Sequence, residues 1–252
     1  MAIALRKPKE IEKLREANRI VAGALELLRE NTKVGMSLKE LDALAEEYVR
    51  SHNAKPSFKG LYGFPNAVCT SLNQVIIHGI PSEYKLQEGD IIGYDIGTEF
   101  QGYFGDGAIT VGVGEISAED EKLIACAKES LYEAIENIKV GMRFKELSFM
   151  LEELITSKGY VPLRDFCGHG IGKKPHEEPE IPNYLDAPNP KAGPKIKNGM
   201  VFCLEPMICQ KESKPVILEN GWDVVSADGL NGSHYEHTVA IIGGKAEILS
   251  KK

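Results

Sequence analysis

Residues 9 to 28 place Ile11, Leu14, Ile20, Val21, Leu25 and Leu28 on one side of a helical wheel and charged residues on the other, which predicts an amphipathic helix. A second helix is expected from Ser37, whose S-x-x-E spacing to Glu40 is the sequence form of a capping box. A third starts at Ser117, ahead of an acidic first turn that suits the positive end of a helix dipole. The fourth runs from about Phe144 and stops at Gly159. Between the helices the pattern changes to runs rich in Val, Ile, Phe and Tyr, at 90 to 96, 103 to 112, 200 to 208, 222 to 226 and 235 to 242, which are expected as strands. Helices paired outside a curved antiparallel sheet make an α+β architecture.

The pattern also repeats. Residues 34 to 49, VGMSLKELDALAEEYV, share Val-Gly-Met, Lys-Glu-Leu and Glu-Glu with residues 140 to 155, VGMRFKELSFMLEELI, at the same relative positions. His78-Gly79-Ile80 returns as His169-Gly170-Ile171, and EGDIIGYDIG, with Asp95, parallels NGMVFCLEPM, with Glu205. Two half-domains, about 9 to 112 and 117 to 243, are therefore expected to pack around a pseudo-twofold axis with one shared central site. With 252 residues, 42% of them hydrophobic, the chain can bury one sizeable core, and a single domain is expected.

The candidate chemistry lies at those repeated positions. In an antiparallel hairpin turning near Phe100 and Gln101, Asp95 and Asp106 would face each other directly, with Cβ atoms about 5 Å apart. Two like charges that close in a core hairpin call for a neutralising cation. Glu205 follows an apolar strand immediately before Pro206, Glu236 enters another, and His169 sits in the glycine-rich GHGIG, where the backbone allows close approach. Four carboxylates and one imidazole are the donors that two hard or borderline divalent cations take, in a centre that activates water. His78 and His176 remain within reach to hydrogen-bond a substrate carbonyl. His52, His234 and His237 are expected to be structural.

Composition narrows the alternatives. A net charge of −7 with interspersed basic residues argues against nucleic-acid binding. Five cysteines without paired short spacing suggest neither a disulfide framework nor a CxxC zinc site, so a reducing cytosol is expected. No stretch approaches the roughly 20 apolar residues of a membrane span, and the start, MAIALRKPKE, has no targeting character.

The ordered set VCTSLN, IHGIP, GDIIGYDIG, GYFGD, GHGIGKKPHEEP, LEPM and YEHT resembles the type I methionine aminopeptidases of the pita-bread fold, over essentially the whole chain. The resemblance implies that Asp106 and Glu236 bridge two divalent metals, Fe(II), Mn(II), Co(II) or Zn(II), with Asp95 completing one and His169 and Glu205 the other. It implies that water activated between them attacks the first peptide bond, with Glu205 as general base and His78 and His176 stabilising the oxyanion and positioning the substrate. By position in the family pattern, Phe58, Leu61, Tyr62, Phe64, Cys69 and Trp222 would line a methionine pocket, and a cramped next subsite would restrict the second residue to small side chains. The chain's own start, Met1-Ala2, fits such a substrate. A monovalent cation near Asn73 and Val75 is also implied. Pro175 departs from the aromatic often found before the histidine, and Phe58 from a smaller residue, which alters the pocket's expected shape. Implied partners are nascent polypeptide N-termini, with ribosome association conceivable, for a cytoplasmic monomer without nucleic-acid or membrane recognition. Two alternatives remain: a prolidase-type or Xaa-Pro aminopeptidase, which usually carries an additional N-terminal domain, and a non-catalytic binding protein on the same fold.

Overall fold

The computed structural model describes residues 2 to 251, so Met1 of the Met1-Ala2 reading lies outside the described residues. Its first half contains helices α1 (Pro8–Asn31) and α2 (Leu38–Ser51) and strands β1 (Lys55–Pro56), β2 (Val68–Leu72), β3 (Val75–Ile77), β4 (Ile91–Phe100) and β5 (Tyr103–Gly112). The second half contains α3 (Ala118–Glu136), α4 (Phe144–Ser157), β6 (Val161–Pro162), β7 (Cys167–Gly170), β8 (Glu177–Pro182), β9 (Val201–Leu204) and β10 (Met207–Cys209). It closes with β11 (Pro215–Ile217), β12 (Val224–Ser226), β13 (Gly232–His234), β14 (Glu236–Ile242) and β15 (Lys245–Ile248).

The helices start where the sequence signals them. Ser37 Oγ accepts the Glu40 N–H at 3.2 Å while the Glu40 carboxylate accepts the Ser37 N–H at 2.8 Å, a reciprocal capping box. Ser117 Oγ accepts the Asp120 N–H at 3.1 Å and starts α3 in the same way. All six apolar residues expected on one side of α1 are buried. Propensity alone leaves an isolated helix marginal, so this stripe, at roughly 1.5 to 3 kcal/mol per fully buried side chain, is what holds α1 in place.

A nine-stranded antiparallel sheet runs β1-β4-β5-β14-β9-β7-β8, with β2 also on β4 and β15 also on β14. Its central pair, β5 and β14, joins the two halves. The duplication expected from the sequence recurs bond by bond. Gly35 N–H donates to Leu86 O and Leu86 N–H to Met36 O; in the second half Gly141 N–H donates to Ile196 O and Ile196 N–H to Met142 O. α1 and α2 pack on β4 and β5 around Ile20, Leu41, Tyr94 and Ile96, and α3 and α4 cover the second half around Leu131, Leu147 and Phe202. The nine-stranded sheet includes short strands, β1, β2, β7 and β8, that no apolar run announced.

Glycines set how closely α1 approaches the hairpin. A Cβ on Gly105 would stand 2.8 Å from the backbone at Ala17 and Asn18, and one on Gly107 would meet Val21 at 3.0 Å. The close approach lets Asn18 Oδ1 accept the Asp106 N–H at 3.2 Å and Ala17 O accept the Thr98 hydroxyl at 2.9 Å. Gly105 and Gly107 therefore face the helices, and by strand alternation Asp106 faces the other side of the sheet. Gly105→Ala is expected to lift α1 and destabilise the protein by about 1–3 kcal/mol, read as a Tm lower by roughly 3–10 °C. An unchanged Tm would contradict this packing.

Candidate metal centre and substrate cavity

The β4–β5 hairpin reverses across Gln101 and Gly102, with φ of 51° and 77°, the paired positive angles of a type I′ turn. Phe100 therefore pairs with Tyr103, Asp95 with Ala108 and Asp106 with Gly97. This corrects the expectation that the two aspartates sit directly opposite. The chain turns one residue later than Phe100–Gln101, which shifts every pair by two, and Asp95 and Asp106 become diagonal neighbours on the same face. The glycine at the second turn position is the signal that fixes this register.

Four strands deliver carboxylates to that face. Asp95 comes from β4, Asp106 from β5, Glu236 from the start of β14, where it pairs with Ala108, and Glu205 from the residue after β9. Asp106 and Glu236 are only 3% and 2% exposed. His169, on β7, donates its Nδ1–H to Gly170 O at 3.0 Å, which leaves Nε2 as a lone pair. That nitrogen lies 3.4 Å from Glu205 Oε1 and 4.0 Å from Asp106 Oδ2.

The carboxylates are not satisfied by the protein. Asp95 Oδ1, Glu205 Oε1 and Glu236 Oε1 are buried without a hydrogen-bond partner. Burial pushes the Asp95 carboxyl up to about 7. Asp106, Glu205 and Glu236 are raised well above the usual carboxylate range, by burial first and then by one another's charge. His169 is lowered to about 4 by burial and by His176, so its ring is a neutral donor. Unpartnered oxygens, mutual repulsion and a neutral imidazole are what divalent cations would satisfy, and the donor set fits them. Asp106, His169, Cys203 and Glu236 each offer a ligand atom within 4.8 Å of the others. Cys203 is the odd member: burial and the charges of Glu236 and Asp106 hold its thiol protonated, and it is not among the residues lining the cavity. Asp95 and Glu205 do line it, and complete an oxygen-rich set better matched to hard and borderline cations.

The cluster opens into a cavity of about 510 Å³ that the eight expected substrate-binding side chains also line. Phe58, Phe64 and Cys69 are buried together, with Leu61 and Trp222 packed against them, and Phe64 meets Trp222 edge-to-face at 5.1 Å between centroids. Gly97 makes room, since a Cβ there would lie 2.6 Å from the Phe58 ring. Tyr62 differs from the rest: it is 78% exposed and stands at the rim, stacked on His176 with centroids 6.0 Å apart. His78 follows β3 with φ of 60°, an uncommon conformation for a non-glycine residue, and its ring meets Phe166 edge-to-face at 5.6 Å. His176 packs edge-to-face on His169 at 4.5 Å.

Of the three histidines expected to be structural, His52 hydrogen-bonds Tyr48 O at 2.8 Å, and His237 is held at 2.9 Å by both Ser250 and Tyr132. His234 instead lines the cavity, as do Phe166 and Met207, none of which was singled out from the sequence. The available signals were period-two spacing from His234 to Glu236, the place of Phe166 two residues before the GHG motif and that of Met207 directly after Glu205-Pro206.

Residues 12–242 match the model of metallopeptidase family M24. A methionine aminopeptidase of Helicobacter pylori is 62% identical over the full length of both chains. Methionine aminopeptidase 1 of Bacillus subtilis is 41% identical over 99% of each. Among solved structures, the methionine aminopeptidase of Thermotoga maritima matches with a TM-score of 0.96 at 37% identity, covering 100% of both chains. The prolidase of Pyrococcus furiosus matches at 0.79 with 25% identity, and only 65% of its chain is covered.

Carboxyls whose folded-state pKa is raised favour folding most when protonated, below their unfolded value near 4, and that contribution is lost as pH rises through the folded value, about 7 for Asp95. Chelator-stripped protein is therefore expected to lose Tm between pH 5 and pH 8. Mn(II) is expected to restore it, by roughly 5 °C or more at the upper end. Equal Tm values with and without Mn(II) across that range would contradict the assignment.

Proposed function

The chain belongs to metallopeptidase family M24, and from that premise we propose how its cavity carries out methionine aminopeptidase chemistry, the hydrolytic removal of an N-terminal methionine from a polypeptide. The observation that carries the reading is the convergence of buried, unpartnered carboxylates and one neutral histidine beside an aromatic pocket. Asp95, Asp106, His169, Glu205 and Glu236 would hold two divalent cations, with Fe(II), Mn(II), Co(II) and Zn(II) all compatible with such donors. When bound, the cations supply Lewis acidity, lowering the pKa of water and polarising a carbonyl.

The chain's own groups do the rest. Glu205, lining the cavity beside the other acids, accepts a proton from the attacking water at a carboxylate oxygen and later returns it to the leaving amine. His78 and His176 are both lowered by burial, to about 4 for His78, so each is a neutral N–H donor for the oxygen of the scissile carbonyl. Phe58, Leu61, Phe64, Cys69 and Trp222 take the methionine side chain, worth roughly 1.5 to 3 kcal/mol in burial, with a further 0.3 to 1.5 from sulfur on an aromatic edge. Tyr62, stacked on His176, borders the next subsite and limits the second residue to a small side chain.

The same reading makes the protein a cytosolic monomer acting on nascent chains. No helix among the described residues is long and apolar enough to cross a membrane. Sedimentation is expected to give a single species of about 27.7 kDa, and a stable dimer would count against it.

The chelator-stripped protein, with Mn(II) or Co(II) added back, is expected to release methionine from Met-Ala-Ser and nothing from Ala-Pro-Ser. Glu205→Gln is expected to lower kcat by about 100-fold or more, the scale of a lost general base. Cleavage of Ala-Pro-Ser would move the chain to the Xaa-Pro branch, and cleavage of neither would leave a binding role.

A further inference from the structure

The Glu205 carboxylate stands between two imidazoles. His169 Nε2 lies 3.4 Å from Oε1, and His234 Nε2 lies 3.8 Å from Oε2. The two rings are not equivalent. Because His169 spends its N–H on Gly170 O, its Nε2 faces the carboxylates as a lone pair, suited to a cation and unable to donate to Glu205.

His234 is held as though its aim matters. It is 3% exposed, and its backbone N–H donates to Thr110 Oγ1 at 3.0 Å while its carbonyl accepts from the same hydroxyl at 2.9 Å. Pairing with Met207 fixes the strand from the other side. Yet Nε2 is buried without a hydrogen-bond partner, an arrangement that is destabilising unless the atom serves something else. Among the described residues, the carboxylate paired with that nitrogen is Glu205. A movement of under about 1 Å brings the two into hydrogen-bonding range.

We propose that His234 is a positioning residue for Glu205, donating Nε2–H to Oε2 and holding the carboxylate in the orientation in which it takes a proton from water. The proposal rests on the reading of Glu205 as general base. His234 itself gives up no proton in the reaction. Asn183 complements it from the backbone side, its Nδ2 donating to Glu205 O at 2.9 Å, so that main chain and carboxylate are steered separately.

The test compares His234→Gln with His234→Met, which match in volume and differ in whether they can donate, so that any general packing defect falls on both. Each is stripped, reloaded with Mn(II) and assayed on Met-Ala-Ser beside wild type, and Mn(II) binding to the stripped proteins is measured by calorimetry. For His234→Met, kcat is expected to fall by about 10- to 100-fold, the range for a hydrogen bond to a charged group, with KM and Mn(II) affinity within about threefold of wild type. His234→Gln is expected to recover most of the lost kcat. Equal kcat in the two variants would overturn the proposal. So would a fall in Mn(II) affinity that tracks the fall in kcat, which would make His234 a cation ligand. If wild type itself fails to release methionine, the reading of Glu205 fails and the proposal falls with it.

Discussion

Like charges repel most strongly where water cannot screen them, and here Asp95, Asp106, Glu205 and Glu236 are turned into one buried face of a sheet. Among the described residues no lysine or arginine lines the cavity, and three of the carboxylate oxygens lack a hydrogen-bond donor. A fold that places such acids together must hold them by packing, with their charge suppressed by protonation or offset by cations. The rest of the molecule can be understood as the means of doing so. Helix α1 is locked onto the hairpin through glycines and Asn18, the central β5–β14 pair joins the halves, and Thr238 Oγ1 donates to Asp106 O at 2.9 Å across that seam.

The duplication explains how one chain assembles such a site. Each half supplies one β-strand carboxylate at the seam, Asp106 or Glu236, and one beside it, Asp95 or Glu205. Equivalent turns before α2 and α4 are tied to equivalent loop segments, Gly35 to Leu86 and Gly141 to Ile196. Symmetry brings the four acids together, and its breaking gives them different work. The second half places the His169 imidazole against Glu205 Oε1, and a second imidazole, His234, stands on the other side of the same carboxylate.

Much of this was legible in the residues. The caps at Ser37 and Ser117 and the apolar stripe of α1 carry local signals that tertiary packing reinforces; the core strands were located, but the run 200 to 208 is split at Glu205–Pro206 into β9 and β10, which lie in different sheets, and β4 runs on to Phe100. That Asp95, Asp106, His169, Glu205 and Glu236 belong to one cluster was legible because repeated motifs and charged residues in apolar strands are both unusual. What the sequence hid was of two kinds. The hairpin register depended on a single turn, Gln101–Gly102 in place of Phe100–Gln101, and a one-residue error there moves every partner by two. His234 looked like an ordinary buried histidine because nothing local marks a ring nitrogen as unpartnered; that is a property of the assembled cavity. Tyr62 likewise lines the cavity from its rim, 78% exposed, in a turn where Gly60, Tyr62 and Gly63 all have positive φ.

The central claim is that these acids and His169 form one two-cation centre. Anomalous difference density from Mn(II)-soaked crystals tests it most directly. Two peaks are expected, enclosed by Asp95, Asp106, His169, Glu205 and Glu236, and absent after chelation. Density confined to other parts of the molecule, or no peak among these five residues at saturating Mn(II), would contradict the account.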